Sequence, residues 1–369
     1  MHHVFELDEI LRLIASDLID TGDGGALSLA CCCRSFSTPV LDTMWEEGQS
    51  DFTTLLKTFP CSVWRVVNMT FRFTRQPSEE EWAQFSLYAR RMRKLFIFPH
   101  ETVFPSPVGF RLLSAHFSGS CMLPNLRELD WCNTRADTGI ALIFPSLVSP
   151  FLENLHYELR DISHTRTVLS ALTPAYSSLQ YIYFTRSDPG LVQEFSTLLL
   201  KCNPNQLHFF SAGSPLSRTA FLHASQLPDL QYFDTPAIQA DGLEPLGDAS
   251  LPTAMFSSLQ YLYMRGLDTG SIWLRSLTRL CFENLLMLVL ELKNAAAART
   301  CLPLTLKYLR YQTLTELVIR FDKAGIIVYL LSRQMRSQTL WRRPRETCQG
   351  DAETQRPDPW MQLMFQTSK

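Results

Sequence analysis

The chain opens on three short stretches of helical periodicity. Leu7, Ile10, Leu11, Ile14 and Leu18 recur at helical spacing and form one wide apolar stripe, with Asp8 as its cap. The glycine-rich run from Thr21 to Gly25 breaks that helix. A second helix is predicted through Leu27, Leu29, Cys31 and Cys33 to Phe36. A third is predicted to open at Ser37-Thr38-Pro39, a hydroxyl cap before a first-turn proline, and to carry Val40, Leu41, Met44 and Trp45. About 45 residues lie near the lower limit for independent folding. Their apolar positions exceed what three short helices can hide among themselves, so the surplus should face the rest of the chain or a partner.

From residue 63 the texture changes to a returning L-x-x-L-x-L pattern, apolar at positions one, four and six. It reads Val66-Met69-Phe71, Met92-Leu95-Ile97, Leu126-Leu129-Trp131, Leu152-Leu155-Tyr157 and Leu179-Ile182-Phe184. It continues as Leu207-Phe210-Ala212, Leu230-Phe233-Thr235, Leu259-Leu262-Met264, Leu285-Leu288-Leu290 and Leu314-Leu317-Ile319. The intervals run from 23 to 34 residues, the signature of a stacked repeat. Between the strands lie helical patterns, at Glu79 to Met92, after Asp188-Pro189, and at Ile272 to Leu280. Strand–helix alternation at this period predicts parallel strands in units too small to bury their own apolar faces, so the units must stack. After Asp322 a final helix is predicted through Ile326, Ile327, Leu330 and Leu331, followed by a basic cluster at Arg333, Arg336, Arg342, Arg343 and Arg345. The polar tail from Glu346 is predicted to be disordered.

Composition narrows the function classes. At 369 residues, the length suggests two domains or one elongated one. The formal charge of −2 disfavours nucleic acid as the main ligand. The start of the chain lacks the order of a signal peptide, and no apolar stretch reaches the roughly 18 residues of a membrane span, so no membrane role is expected. Ten cysteines without C-x-x-C spacing read as reduced and mostly buried thiols, which points to the cytoplasm and/or nucleus.

Catalytic motifs are missing: there is no G-x-x-x-x-G-K, G-x-S-x-G or H-E-x-x-H. The eight histidines are scattered, with His156 and His164 the closest pair apart from His2-His3. Neither a cofactor nor a metal is expected, nor catalysis. The repeats instead suggest a binding face, because positions two, three and five point away from the anchors. Position three reads Glu128, Asn154, Tyr181, Phe209, Tyr232, Tyr261, Met287 and Glu316; position five reads Asp130, His156, Tyr183, Ser211, Asp234, Tyr263, Val289 and Val318. The aromatic residues Tyr181, Tyr183, Phe209, Tyr232, Tyr261 and Tyr263 therefore stand as candidate target-binding groups. Alternatively, rings on adjacent strands stack sideways to stabilise the sheet.

These residues resemble a known family. Glu9-Ile10-Leu11, Ile14, Leu18, Leu27-x-Leu29-x-Cys31-x-Cys33-Arg34-x-Phe36 and Leu41-x-x-x-Trp45 look like an F-box, and the degenerate leucine-rich repeats behind it look like an F-box/leucine-rich-repeat protein of the fungal type. The resemblance covers residues 4 to 322. It departs from the family where the usual Leu-Pro before Glu-Ile-Leu reads Glu6-Leu7, with Asp8 intervening, and where Thr134 replaces the Asn or Cys after the strand. It implies an α/β fold: a three-helix F-box over 1–48, a linker over 49–62, an irregular horseshoe-shaped solenoid with parallel strands over 63–322, a C-terminal capping helix over 323–345 and a tail over 346–369. It also implies a non-catalytic substrate receptor of a Skp–cullin–F-box ubiquitin ligase. Leu7, Ile10, Leu11, Ile14, Leu18, Leu29 and Trp45 would contact the Skp adaptor, and through it a cullin, while the repeats hold a target protein. Two other readings stand beside it: a repeat scaffold capped by the helical trio with no ligase link, and a doubly wound α/β enzyme, which a regular strand order would exclude.

Overall fold

The computed structural model describes residues 4–21, 24–47, 52–97, 104–132, 139–158, 162–185, 188–236, 256–267, 284–292, 314–321 and 325–330. Two compact units divide the chain, Met1–Leu331 and Ser332–Lys369. The second lies outside the described residues, with the arginine cluster and the expected tail; so do Thr134 and the helix expected at 272–280.

The first three helices are α1 (Val4–Thr21), α2 (Gly25–Cys32) and α3 (Arg34–Glu47). Gly24 enters α2 at φ 75°, a left-handed conformation that costs a residue with a side chain. The third helix begins three residues earlier than expected. Cys33 is extended at φ −158°, and the amides of Phe36 and Ser37 close on its carbonyl, so Pro39 falls inside the helix. The three helices pack on Ala15, Ala26, Ala30 and Val40, a core of small side chains. A small core is what helices of eight to eighteen residues can enclose.

The expected linker is corrected over its described part. Helix α4 (Phe52–Leu56) buries Phe52, Leu55 and Leu56, and Phe59 and Val63 join them in the main core. The first expected repeat is corrected too. Strands β1 (Trp64–Val67) and β2 (Thr70–Phe73) form an antiparallel hairpin, turning at Asn68 and Met69 with φ 50° and 56°. The apolar spacing of Val66, Met69 and Phe71 runs across that turn rather than along one strand, and Val66 and Met69 are exposed.

Helix α5 (Glu79–Ala89) begins with a capping box, in which Ser78 Oγ accepts from the Glu81 amide and Glu81 accepts from the Ser78 amide. Then strands and helices alternate: β3 (Lys94–Ile97), β4 (Phe104–Pro105), α6 (Pro107–His116), β5 (Glu128–Trp131), α7 (Gly139–Leu147), β6 (Asn154–Tyr157), α8 (Ile162–Ala171), β7 (Tyr181–Phe184), α9 (Val192–Lys201), β8 (Phe209–Ser211), α10 (Arg218–Ser225) and β9 (Tyr232–Pro236). Strands β10 (Tyr261–Leu267), β11 (Met287–Leu292), β12 (Glu316–Phe321) and β13 (Gly325–Leu330) complete the described elements. The short strand β4 joins the hairpin in a three-stranded sheet.

Among the described residues, the large sheet has ten strands ordered β3-β5-β6-β7-β8-β9-β10-β11-β12-β13. The first nine are parallel, and each pairs with its successor along this chain order. A doubly wound sheet reverses its strand order at a switch point, and this one does not, which excludes the doubly wound reading. The last strand corrects the expected C-terminal helix. Residues 325–330 run antiparallel to β12, with Ile327 opposite Ile319. The run Gly-Ile-Ile-Val-Tyr-Leu is rich in β-branched residues, and its i, i+1, i+4 spacing fits a buried strand as well as a helix.

All anchors of the nine motifs from Met92 to Ile319 are buried. They meet the helices on one face: Trp131 lies 5.8 Å from Phe144 of α7, Phe184 4.8 Å from Phe195 of α9, and Phe233 5.8 Å from Phe221 of α10, centroid to centroid. Helices α6 to α10 touch their chain neighbours in turn. No helix among the described residues is long and apolar enough to cross a membrane.

Candidate interaction surfaces

Positions three and five of the motifs fall on the strands and, by the alternation of the pleat, lie on the far face of the sheet, away from the anchors at positions four and six. Parallel register brings position three into one row, Tyr181 beside Phe209, Phe209 beside Tyr232, and Tyr232 beside Tyr261. The rings stack along it. Phe209 and Tyr232 lie 4.0 Å apart and 8° from parallel, Tyr181 and Phe209 lie 6.1 Å apart, and Tyr232 and Tyr261 lie 6.2 Å apart. In-register strands about 4.8 Å apart enforce such contacts. Tyr181, at the end of the row, is 40% exposed; Phe209, Tyr232 and Tyr261 are half-buried between neighbours.

The position-five row is less open than its pattern suggests. Tyr183 packs edge-on against His156 at 4.8 Å, but Ser211, Asp234, Val289 and Val318 are buried. Asp234 accepts from Ser211 Oγ at 2.7 Å and from Arg265 Nε at 3.0 Å, while Arg265 Nη2 donates to the Ala212 carbonyl at 2.9 Å. Burial raises the Asp234 carboxyl above its ordinary range, and Arg265 and the Ser211 hydroxyl act against that rise. Tyr263 donates to Glu291 at 3.2 Å and accepts from Arg320 Nη1 at 3.0 Å. Burial, helped by Glu291 and Asp234 and opposed by Arg320, pushes its phenol up to about 12. Tyr263 is therefore tied into a polar network, as Tyr183 is into ring contacts. Of the six expected target-binding aromatics, Tyr181 is the one presented most openly.

The helical trio presents a second surface. Ile10, Leu13 and Ile14 of α1 are 49%, 68% and 43% exposed, and Leu27 of α2 is 54% exposed. Ile10, Leu13 and Ile14 share one face of α1 by their i, i+3, i+4 spacing, an apolar face left in solvent. The expected adaptor contacts divide on this point. Ile10 and Ile14 are exposed, and Leu18 and Leu29 are half-buried against the trio's core. Leu7 falls on α1, with its side chain outside the described residues. Two expectations are corrected: Leu11 is buried, and Trp45 is buried in the main core, 5.7 Å from Tyr88. The sequence reading missed Leu13 and Leu27 as surface residues, although both belong to the apolar surplus.

Charge ties the trio to the chain just beyond α5. Arg12 reaches Asp8 and Asp42 at 3.3 and 3.5 Å, and Asp42 also pairs with Arg91 at 3.0 Å. The cysteines were expected to be mostly buried, and the structure corrects this. Cys31, Cys32, Cys33 and Cys61 are exposed, because short helices and turns hold them at the surface, and among the described residues only Cys202 is fully buried.

A third grouping was not anticipated. Asp130, Cys132 and His156, from adjacent strands, converge so that one donor atom of each lies within 4.8 Å of the others. Register carried the signal, since Asp130 and His156 hold the same motif position in successive repeats. Among models of known protein families, none matches the sequence. Among curated proteins, no match is found either.

Proposed function

We propose that this chain is a non-catalytic substrate receptor of a Skp–cullin–F-box ubiquitin ligase, built from an F-box and a leucine-rich-repeat solenoid. The helical trio docks a Skp adaptor, and the far face of the sheet, with Tyr181 at its most open point, holds the target protein. The receptor supplies proximity rather than bond chemistry. One observation carries the reading: Ile10, Leu13, Ile14 and Leu27 are left in solvent by a helical unit that has its own small core. Such a face suits an apolar helical partner.

A pull-down tests this with the Ile10→Asp/Ile14→Asp variant. Adaptor capture is expected to be lost while the unfolding midpoint stays within experimental error of the parent. Unchanged capture, or no capture by the parent, defeats the proposal. Leu11→Asp is unsuitable as a surface probe because it buries a charge.

A second reading is favoured by Trp45 in the main core and by the Asp42–Arg91 ion pair. These contacts suit a trio that caps a protein-binding repeat scaffold with no ligase link. On that reading Ile10→Asp/Ile14→Asp leaves every partner bound.

A further inference from the structure

We propose that Asp130, Cys132 and His156 form a binding site for a borderline divalent cation of the zinc class, held through one carboxylate oxygen, the cysteine sulfur and one imidazole nitrogen, with a fourth position left for water or a ligand. The site follows from strand geometry. Asp130 lies in β5 and Cys132 just beyond it, two residues on and so on the same face. The pleat continues through Cys132, whose amide still donates to the Ile97 carbonyl at 3.1 Å. His156 stands opposite Asp130 in the parallel register of β5 and β6. Three ligand types are thereby fixed on two neighbouring strands, a more rigid mounting than a loop provides.

The spacing suits the ion. Asp130 Oδ1 lies 3.0 Å from His156 Nδ1 and 3.1 Å from Cys132 Sγ, and Sγ lies 3.6 Å from Nδ1. Tetrahedral zinc, with bonds of about 2.0–2.3 Å, sets its donor atoms roughly 3.4–3.6 Å apart. The three donor distances are thus within about half an ångström of those an ion would impose. Because Sγ also lies 3.6 Å from Nε2, the imidazole must turn to aim one nitrogen lone pair at the ion. Sulfur with nitrogen and one carboxylate selects zinc or cobalt over magnesium or calcium, which take oxygen donors.

The Cys132 thiol donates to Asp130 Oδ1. On metal binding the S–H bond breaks, the sulfur keeps its electron pair for the new metal–sulfur bond, and the proton passes to solvent. Asp130 and His156 each keep about a fifth of their side-chain surface accessible, which leaves an entry path.

Titration of the reduced full chain with Co²⁺ tests the site. One equivalent is expected to bind, with visible d–d bands and an intense near-ultraviolet sulfur-to-cobalt band, both bleached by added Zn²⁺. Cys132→Ser should lose the near-ultraviolet band. His156→Gln and Asp130→Asn should each weaken binding at least tenfold, while Cys31→Ser/Cys32→Ser/Cys33→Ser should keep the full signal. Absence of the sulfur band in the parent, its survival in Cys132→Ser, or its loss in the triple serine variant overturns the assignment and leaves a hydrogen-bonded Asp–His–Cys cluster. Circular dichroism checks each fold; if Cys132→Ser does not fold, His156→Gln decides by the tenfold criterion.

Discussion

Arg265 and Asp234 set the electrostatic character of the far face at the level of single residues. The carboxylate is buried and the guanidinium nearly so, with side-chain exposures of 9% and 22%. Removing one partner of a buried pair strands the other charge, at about 3–5 kcal/mol. Arg265→Met is therefore expected to cost about 3 kcal/mol near neutral pH, at the lower end because the guanidinium keeps some solvent. The sign of the pH dependence follows from Asp234. Its folded-state pKa is already raised by burial, and losing Arg265 raises it further. A carboxyl that holds its proton more tightly when folded gives stability at low pH that is lost as pH rises through the raised value. Urea unfolding should therefore show a smaller deficit at about pH 5 than at about pH 8. A deficit below about 1 kcal/mol, equal at both pH values, would contradict this account. The sequence made the aromatic row legible, since position three repeats, but it hid this ion pair. Arg265 follows the last anchor of its motif, a position that the inward–outward reading did not cover. The Asp130–Cys132–His156 grouping was hidden for a related reason, because 24 residues separate Cys132 from His156 and only strand register joins them.

Elements were readable where period and length were both sufficient. Nine anchor sets landed on nine parallel strands because buried strands need apolar residues at fixed alternation. Helix α4 escaped notice because five residues are too short to show a period. The β1–β2 hairpin resembles a repeat in sequence because apolar spacing does not reveal a reversal of direction. Its turn carries the clue, since Val67 pairs with Thr70 around two residues of positive φ, the conformation that favours Asn followed by Gly. Met69 occupies the glycine position and is 53% exposed, so it bears backbone strain with little packing in return. Met69→Gly should stabilise the chain by about 0.5–1 kcal/mol in urea unfolding, and a loss of stability would mean that the Met69 side chain makes a packing contribution larger than the strain.

For the whole described sheet, the neighbour order governs how stability is distributed. Strands β6, β7 and β8 each hold a parallel partner on both sides and carry buried anchors beneath the helices. The hairpin belongs to a three-stranded sheet with an exposed Val66. Native-state hydrogen exchange should therefore be slowest in peptides covering Leu155, Ile182 and Phe210, and faster in those covering Val66 and Val67. Equal protection in both regions would show one cooperative unit rather than a graded stack.

Because each described strand from β5 to β12 pairs with its neighbours in chain order, a strand and its helix there can be added or deleted as a block without rewiring the others. Each such block would widen the Tyr181-bearing face by about 4.8 Å, so the breadth of that face could be altered in discrete increments during evolution or by an engineer.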